Sequence, residues 1–156
     1  MEPDATVADL RPVLVVEDSD DDFDTVRVAA ARAEIGNPLV RAADAEGARR
    51  LLADCAAGSF AFVLLDHNLP GADGLALLDE ARRDGSLAGV PVVVFTTSVN
   101  PRDRALFFAA GASAFHVKSV QYTVCLDTLE SIFGHWLNSA PTPNRAAVSS
   151  LNGTTA

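Results

Sequence analysis

Five polar residues sit where apolar runs end. Glu17 and Asp18 follow Pro12-Val13-Leu14-Val15-Val16, and Asp66 closes Phe60-Ala61-Phe62-Val63-Leu64-Leu65. Thr96 follows the run from Pro91 to Phe95, and Lys118 closes the shorter Ala114 to Val117. Three carboxylates gathered in one place repel one another by several kcal/mol at intermediate dielectric, which raises a pKa or calls in a cation. Mg²⁺ meets that demand with one or two carboxylates, water and phosphate oxygens. An aspartate can attack phosphorus once charge on the donor is offset, and Lys118 and the Thr96 hydroxyl supply a compact cation and a further hydrogen-bond donor. An acidic pair, a lone Asp, a Thr and a Lys in that order form a set that chance seldom produces.

The apolar runs that carry these residues are short, unbroken and β-branched, as strands covered on both faces are. Helical signals separate them. Ser19 with Asp22 forms an approximate capping box for a helix to about Ala33, stopped by Gly36-Asn37-Pro38. Leu39 to Ala42 predicts a brief strand, and Asp44 caps a helix to about Cys55. Asn68 to Gly74 reads as a loop around Pro70-Gly71, before a helix faced by Leu75, Leu77, Leu78 and Ala81 that ends near Asp84-Gly85. Asn100 or Pro101 opens the next, with Leu106, Phe107 and Ala110 inward and Gly111 just past its end. Tyr122, Cys125, Leu126, Leu129, Ile132, Phe133 and Trp136 recur at helical spacing in the last. Five strands alternating with five helices predict an α/β doubly wound, five-stranded parallel sheet with helices on both faces, whose ligands gather beyond the carboxyl ends of the strands.

Composition narrows the function. The 156 residues suit one domain, and 49% are apolar. With 21 acidic against 12 basic residues, the net charge of −9 argues against nucleic acid as a primary partner. No run approaches the ~18 apolar residues of a membrane span. The acidic start does not read as a signal peptide, so a cytoplasmic protein is expected. Cys55 and Cys125 lie at no metal-binding spacing and read as small buried hydrophobes. His67, His116 and His135 likewise make no ligand set; His67 is expected at the surface and the other two in structural roles. Residues 1–11 read as an N-terminal extension, 12–138 as the folded domain and 139–156 as a disordered tail too short for an effector domain.

The segments Val-Val-Glu17-Asp18, Leu-Leu-Asp66-His-Asn68-Leu-Pro70-Gly71-Ala-Asp-Gly74, Phe-Thr96-Thr-Ser and Gly111-Ala-Ser-Ala-Phe115-His-Val-Lys118 resemble the receiver domain of two-component response regulators. The resemblance spans about Pro12 to Leu137 and implies a flavodoxin-like receiver fold with strand order 2-1-3-4-5. It implies that Asp66 is the phosphoacceptor, that Glu17, Asp18, Asp66 and the Asn68 carbonyl hold Mg²⁺, and that Thr96 and Lys118 contact the phosphoryl oxygens. Phe115 takes the place of the aromatic switch residue that rotates inward on phosphorylation. Gly36-Asn37-Pro38, Thr96-Thr97-Ser98 and Ile132-Phe-Gly-His-Trp136-Leu are further similar to single-domain regulators that partner bacterial phytochromes, which implies a light-regulated histidine kinase as donor. A homodimer through the last two helices and last strand is expected, and no catalysis beyond the protein's own phosphorylation and dephosphorylation. In that family Pro usually follows the Lys, often after a cis bond; here Ser119 does, so a trans bond is expected.

Two other chemistries fit the same residues poorly. Asp18, Asp20 and Asp22 alternate as in a calcium loop, but Phe23 replaces the turn glycine and Ala29 the twelfth-position Glu. A haloacid-dehalogenase-like phosphatase would need an Asp-x-Asp motif directly after a strand, whereas here the acid pair comes first and Asp66 later. An unphosphorylated pseudo-receiver acting only as an interaction module would not need the complete set.

Overall fold

The structure, a computed structural model, describes residues 10–56, 58–69 and 72–137. The expected tail lies outside the described residues, as does the expected N-terminal extension apart from Leu10 and Arg11. The elements run β1 Val13–Val16, α1 Asp20–Arg32, β2 Leu39–Ala42, α2 Ala45–Asp54, β3 Phe62–Leu65, β4 Asn68–Leu69, β5 Ala72–Asp73, α3 Gly74–Arg83, β6 Val92–Thr96, α4 Pro101–Ala109, β7 Ala114–Val117 and α5 Tyr122–Leu137.

Five parallel strands form the main sheet in the order β2-β1-β3-β6-β7, which is 2-1-3-4-5 when only its own strands are counted. The expected fold class and order therefore hold. Alternation along the strands divides the core in two. Val13, Val15, Phe62, Leu64, Val93 and Phe95 pack against α1 and α5. Leu14, Val16, Val63, Leu65, Val92 and Val94 pack against α2, α3 and α4. β1, β3 and β6 are buried throughout because helices cover both their faces, which is why they read as unbroken apolar runs.

Capping residues fix the helix starts. The side chains of Ser19, Asp44, Asp73 and Asn100 accept hydrogen bonds from the amides of Asp22, Gly47, Leu75 and Arg102. Gly111 takes a left-handed φ of +108° just past α4, as its place in the sequence predicts. α1 ends differently: Glu34 adopts φ 56°, so the chain reverses two residues before the expected Gly36 stop.

Four local expectations are corrected. The loop after Asp66 carries a two-stranded antiparallel ribbon, β4 with β5, two residues being enough to register Asn68 opposite Asp73. Leu106 is exposed rather than inward, because α4 meets the sheet through Phe107 alone among its fully buried residues. Tyr122, at the first residue of α5, is exposed too, ahead of the buried face that begins at Leu126. Cys55 and Cys125 are half-buried thiols at the core margins rather than fully buried ones.

Candidate functional site

Sheet register brings the polar strand ends together. Val16 pairs with Leu65 across β1 and β3, so Glu17 and Asp66 leave the sheet side by side. Thr96 pairs with Val117 across β6 and β7, which places Lys118 one residue beyond. The ladder continues into the site: Asp66 N donates to Val16 O at 3.1 Å, and Lys118 N to Thr96 O at 2.6 Å. Carboxylate oxygens of Glu17, Asp18 and Asp66 all lie within 4.8 Å of one another. Glu17 and Asp66 are buried and Asp18 is exposed, which makes a shallow acidic cup with one wall open to water.

Lys118 crosses this cup. Its Nζ donates to Glu17 Oε1 at 2.9 Å, Asp22 Oδ2 at 2.8 Å and Asp66 Oδ2 at 3.4 Å, three acceptors for three N–H groups. It also stands 5.7 Å from the centre of the Phe95 ring. No peptide bond among the described residues is cis, so the Lys118–Ser119 bond is trans, as expected, and the ammonium still reaches Asp66.

Burial pushes the Glu17 carboxyl up to about 7, helped by the Asp66 charge and opposed by Lys118 and the Ser19 amide. Burial would depress the Lys118 ammonium, but its hydrogen bonds to Asp22 and Glu17 and the Asp66 charge outweigh that and hold its pKa above the usual lysine value. The cup thus carries negative charge that one ammonium only partly offsets.

The other predicted residues surround it. Asn68 N donates to Asp66 Oδ1 at 3.3 Å and holds that carboxylate against the ribbon. Thr96 is fully buried, and its hydroxyl accepts from Ser98 N at 3.2 Å. Phe115 is already buried, its ring 5.9 Å from Phe107 and under the Arg104 guanidinium, so the expected inward rotation starts from a position that is inward here. Gly74 is required by a close approach: a Cβ there would collide with the Asp66 carbonyl and come within 3.2 Å of His67 Cα.

Two participants escape a reading of the sequence. Asp22 looks like one more acid at a helix start, yet it makes the shortest contact of the Lys118 ammonium. His67 is not a surface residue: its ring meets Phe107 edge-on at 5.2 Å, with Nδ1 3.4 Å from Asp73 and Nε2 3.6 Å from Asp103. Asp103 in turn accepts from Ser98 Oγ at 2.6 Å, so α4 is tied to the loop after Thr96. Nothing local in the sequence marks either residue; each depends on a partner tens of residues away.

The three clustered carboxylates offer only hard oxygen donors at the mouth of a parallel sheet, which suits a hard divalent cation and not a soft one.

The response regulator receiver domain model matches residues 13–130. The response regulator Rcp1 of Synechocystis is 28% identical over 137 residues, covering 84% of this chain and 92% of that protein. A probable methanogenesis regulatory protein, FilR2 of Methanothrix harundinacea, is 34% identical over 83 residues; that match takes in 52% of this chain and 54% of FilR2, so the chain spans about half of that relative. Among solved structures, the phosphorylated cyanobacterial phytochrome response regulator RcpA superposes with a TM-score of 0.78 at 27% identity, covering 86% of this chain and 99% of that one. With the five-stranded order, the acidic cup and the Lys118 crossing in place, the chain belongs to the response regulator receiver domain family.

Proposed function

We propose that the chain accepts a phosphoryl group on Asp66 from a sensor histidine kinase, in a reaction that depends on Mg²⁺. The observation that carries this reading is the convergence of Glu17, Asp18 and Asp66 within 4.8 Å beneath an ammonium that already touches Asp66. An Asp66 carboxylate oxygen attacks phosphorus, the P–N bond to the donor imidazole breaks as a P–O bond to Asp66 forms, and the released ring nitrogen takes up a proton from water. Asn68 N orients the attacking carboxylate, and Lys118 offsets charge on the transferring group. The Thr96 hydroxyl, which accepts from Ser98, has its own hydrogen to donate to a phosphoryl oxygen. Mg²⁺, held by Glu17, Asp18, Asp66 and the Asn68 carbonyl, would neutralise the carboxylates and the phosphoryl oxygens.

Added charge of about −1.5 to −2 at Asp66 draws Thr96 and Lys118 toward it. The pull reaches α4 and β7 through Ser98–Asp103 and through the His67–Phe107–Phe115 ring contacts. α4, β7 and α5 are the proposed output face and the proposed homodimer contact; Leu106, Phe108, Val117, Tyr122 and Val124 are its exposed large hydrophobic residues. Similarity to the phytochrome response regulator RcpA supports a phytochrome-type kinase as the donor. Residues 12–138 form the proposed receiver, in keeping with the matched span 13–130.

Incubation with a small-molecule phosphodonor and Mg²⁺, followed by intact mass, tests the core of this reading. One added phosphoryl mass is expected, absent with chelator and absent in Asp66→Asn. Labelling that persists in Asp66→Asn sinks it, and steady turnover of external phosphomonoesters would point to a phosphatase instead. Sedimentation of labelled and unlabelled protein tests the dimer.

A further inference from the structure

Lys118 and a divalent cation draw on the same two carboxylates, Glu17 and Asp66. Of the three acceptors around Nζ, Glu17 and Asp66 belong to the carboxylate cluster, and Asp22 alone lies outside it. A cation in the cup competes with the ammonium for both of the others. An ammonium left without a partner beside a doubly charged ion would oppose binding by like-charge repulsion.

We propose that Asp22 is a positioning residue that receives Lys118 when a divalent cation occupies the cup, and releases it to the phosphoryl group afterwards. The inference rests on the metal-dependent phosphoacceptor reading and adds a residue to it. Three contacts aim the carboxylate. Asp22 N donates to Ser19 Oγ at 3.1 Å, Ser19 N donates to Glu17 Oε2 at 3.1 Å, and Asp22 Oδ2 takes Nζ at 2.8 Å, closer than either cluster carboxylate. The first turn of α1 is therefore fastened to a cluster ligand at one end and presents a counter-charge at the other. Asp22 is half-exposed, with its side chain at 48%, and lines a small cavity with Phe95, Lys118 and Tyr122, so the ammonium can swing toward it without entering the core. Water reaches this carboxylate, so its pairing with Lys118 is weaker than a buried one and can be given up once a phosphoryl group offers more oxygens.

Asp21, in the same turn and exposed, carries the same charge without touching Lys118, and serves as the control. Calorimetric titration of the full chain with Mg²⁺ reads the effect. Asp22→Asn is expected to weaken Mg²⁺ binding by about fivefold to tenfold, and Asp21→Asn by no more than about twofold. In a Lys118→Ala background Asp22→Asn is expected to cost at most about twofold, since no ammonium then needs the site. Circular dichroism checks that each variant is folded. Unchanged affinity in Asp22→Asn overturns the proposal, and so does an equal loss in both backgrounds, which would mean bulk charge alone. If the wild-type chain binds no Mg²⁺, the metal-dependent reading fails and this inference with it; normal wild-type binding with an indifferent Asp22→Asn fails this inference only.

Discussion

Lys118→Ala tests how the acidic cup is held together. The side chain is 8% exposed and satisfies Glu17 and Asp66, which are themselves buried. Without it, carboxylate oxygens up to 4.8 Å apart face one another. At an effective dielectric of about 20, two unit charges at that separation repel by about 3.5 kcal/mol. Glu17 does not have to bear all of this, because burial has already raised its pKa to about 7 and it can take up a proton instead. The expected loss of unfolding free energy in metal-free buffer near pH 8 is therefore about 2–4 kcal/mol, somewhat below the roughly 3–5 kcal/mol for removing one partner of a buried ion pair. The sign with pH follows from linkage. The folded state holds the Glu17 proton between its unfolded value of 4.5 and about 7, so the stability contributed by this group falls as pH rises through that window. Removing the ammonium raises the upper edge of the window, so the gap between variant and wild type opens above about pH 7 and narrows below it. Urea unfolding at several pH values, with and without Mg²⁺, measures this. Mg²⁺ should stabilise the variant more than the wild type, because no ammonium competes for Glu17 and Asp66. A variant within about 0.5 kcal/mol of wild type at pH 8, or a gap that widens on acidification, would show that Lys118 does not hold the acidic cup together.

Gly74→Ala should lower stability by at least about 1–3 kcal/mol and slow labelling of Asp66 about tenfold, since the new methyl displaces the Asp66 carbonyl; unchanged labelling would show that the loop yields freely. Arg82 donates to the Gly111 carbonyl at 3.2 and 2.8 Å and also to the Leu87 carbonyl, joining the end of α3 to the end of α4, so Arg82→Ala should cost about 2–3 kcal/mol by chemical denaturation. His116 has its pKa lowered by burial first, then by the positive charges of Arg104 and His135. The folded state binds fewer protons there, so its contribution is complete above 6.5 and is lost as pH falls below that; His116→Gln should flatten this part of the stability profile.

The sequence made the architecture readable because each strand that carries chemistry is buried on both faces, and uniform burial leaves an unbroken apolar run. Asp44, Asn100 and Gly111 announced helix limits through chemistry confined to a few neighbouring residues. Weaker signals went astray. Leu106 and Phe107 are equally apolar neighbours on a nine-residue helix, and only docking against the sheet decides which faces inward. The β4–β5 ribbon is two residues long on each side, below what alternation can reveal. His67 carries no local mark of burial, which comes from Phe107 forty residues on.

By itself the sequence determined which residue types end which strands, and hence that acids, a threonine and a lysine would share one edge of a parallel sheet. That follows from local burial patterns and from the rule that parallel strands in such sheets present their carboxyl ends together. Tertiary structure alone decided the charge distribution among them. Lys118 selects Asp22 over the other acids of the α1 first turn because that turn is fastened through Ser19 to Glu17, an arrangement made by contacts spanning 96 and 101 residues. The raised carboxyl of Glu17 has the same origin, since desolvation belongs to the packed fold and not to the residue.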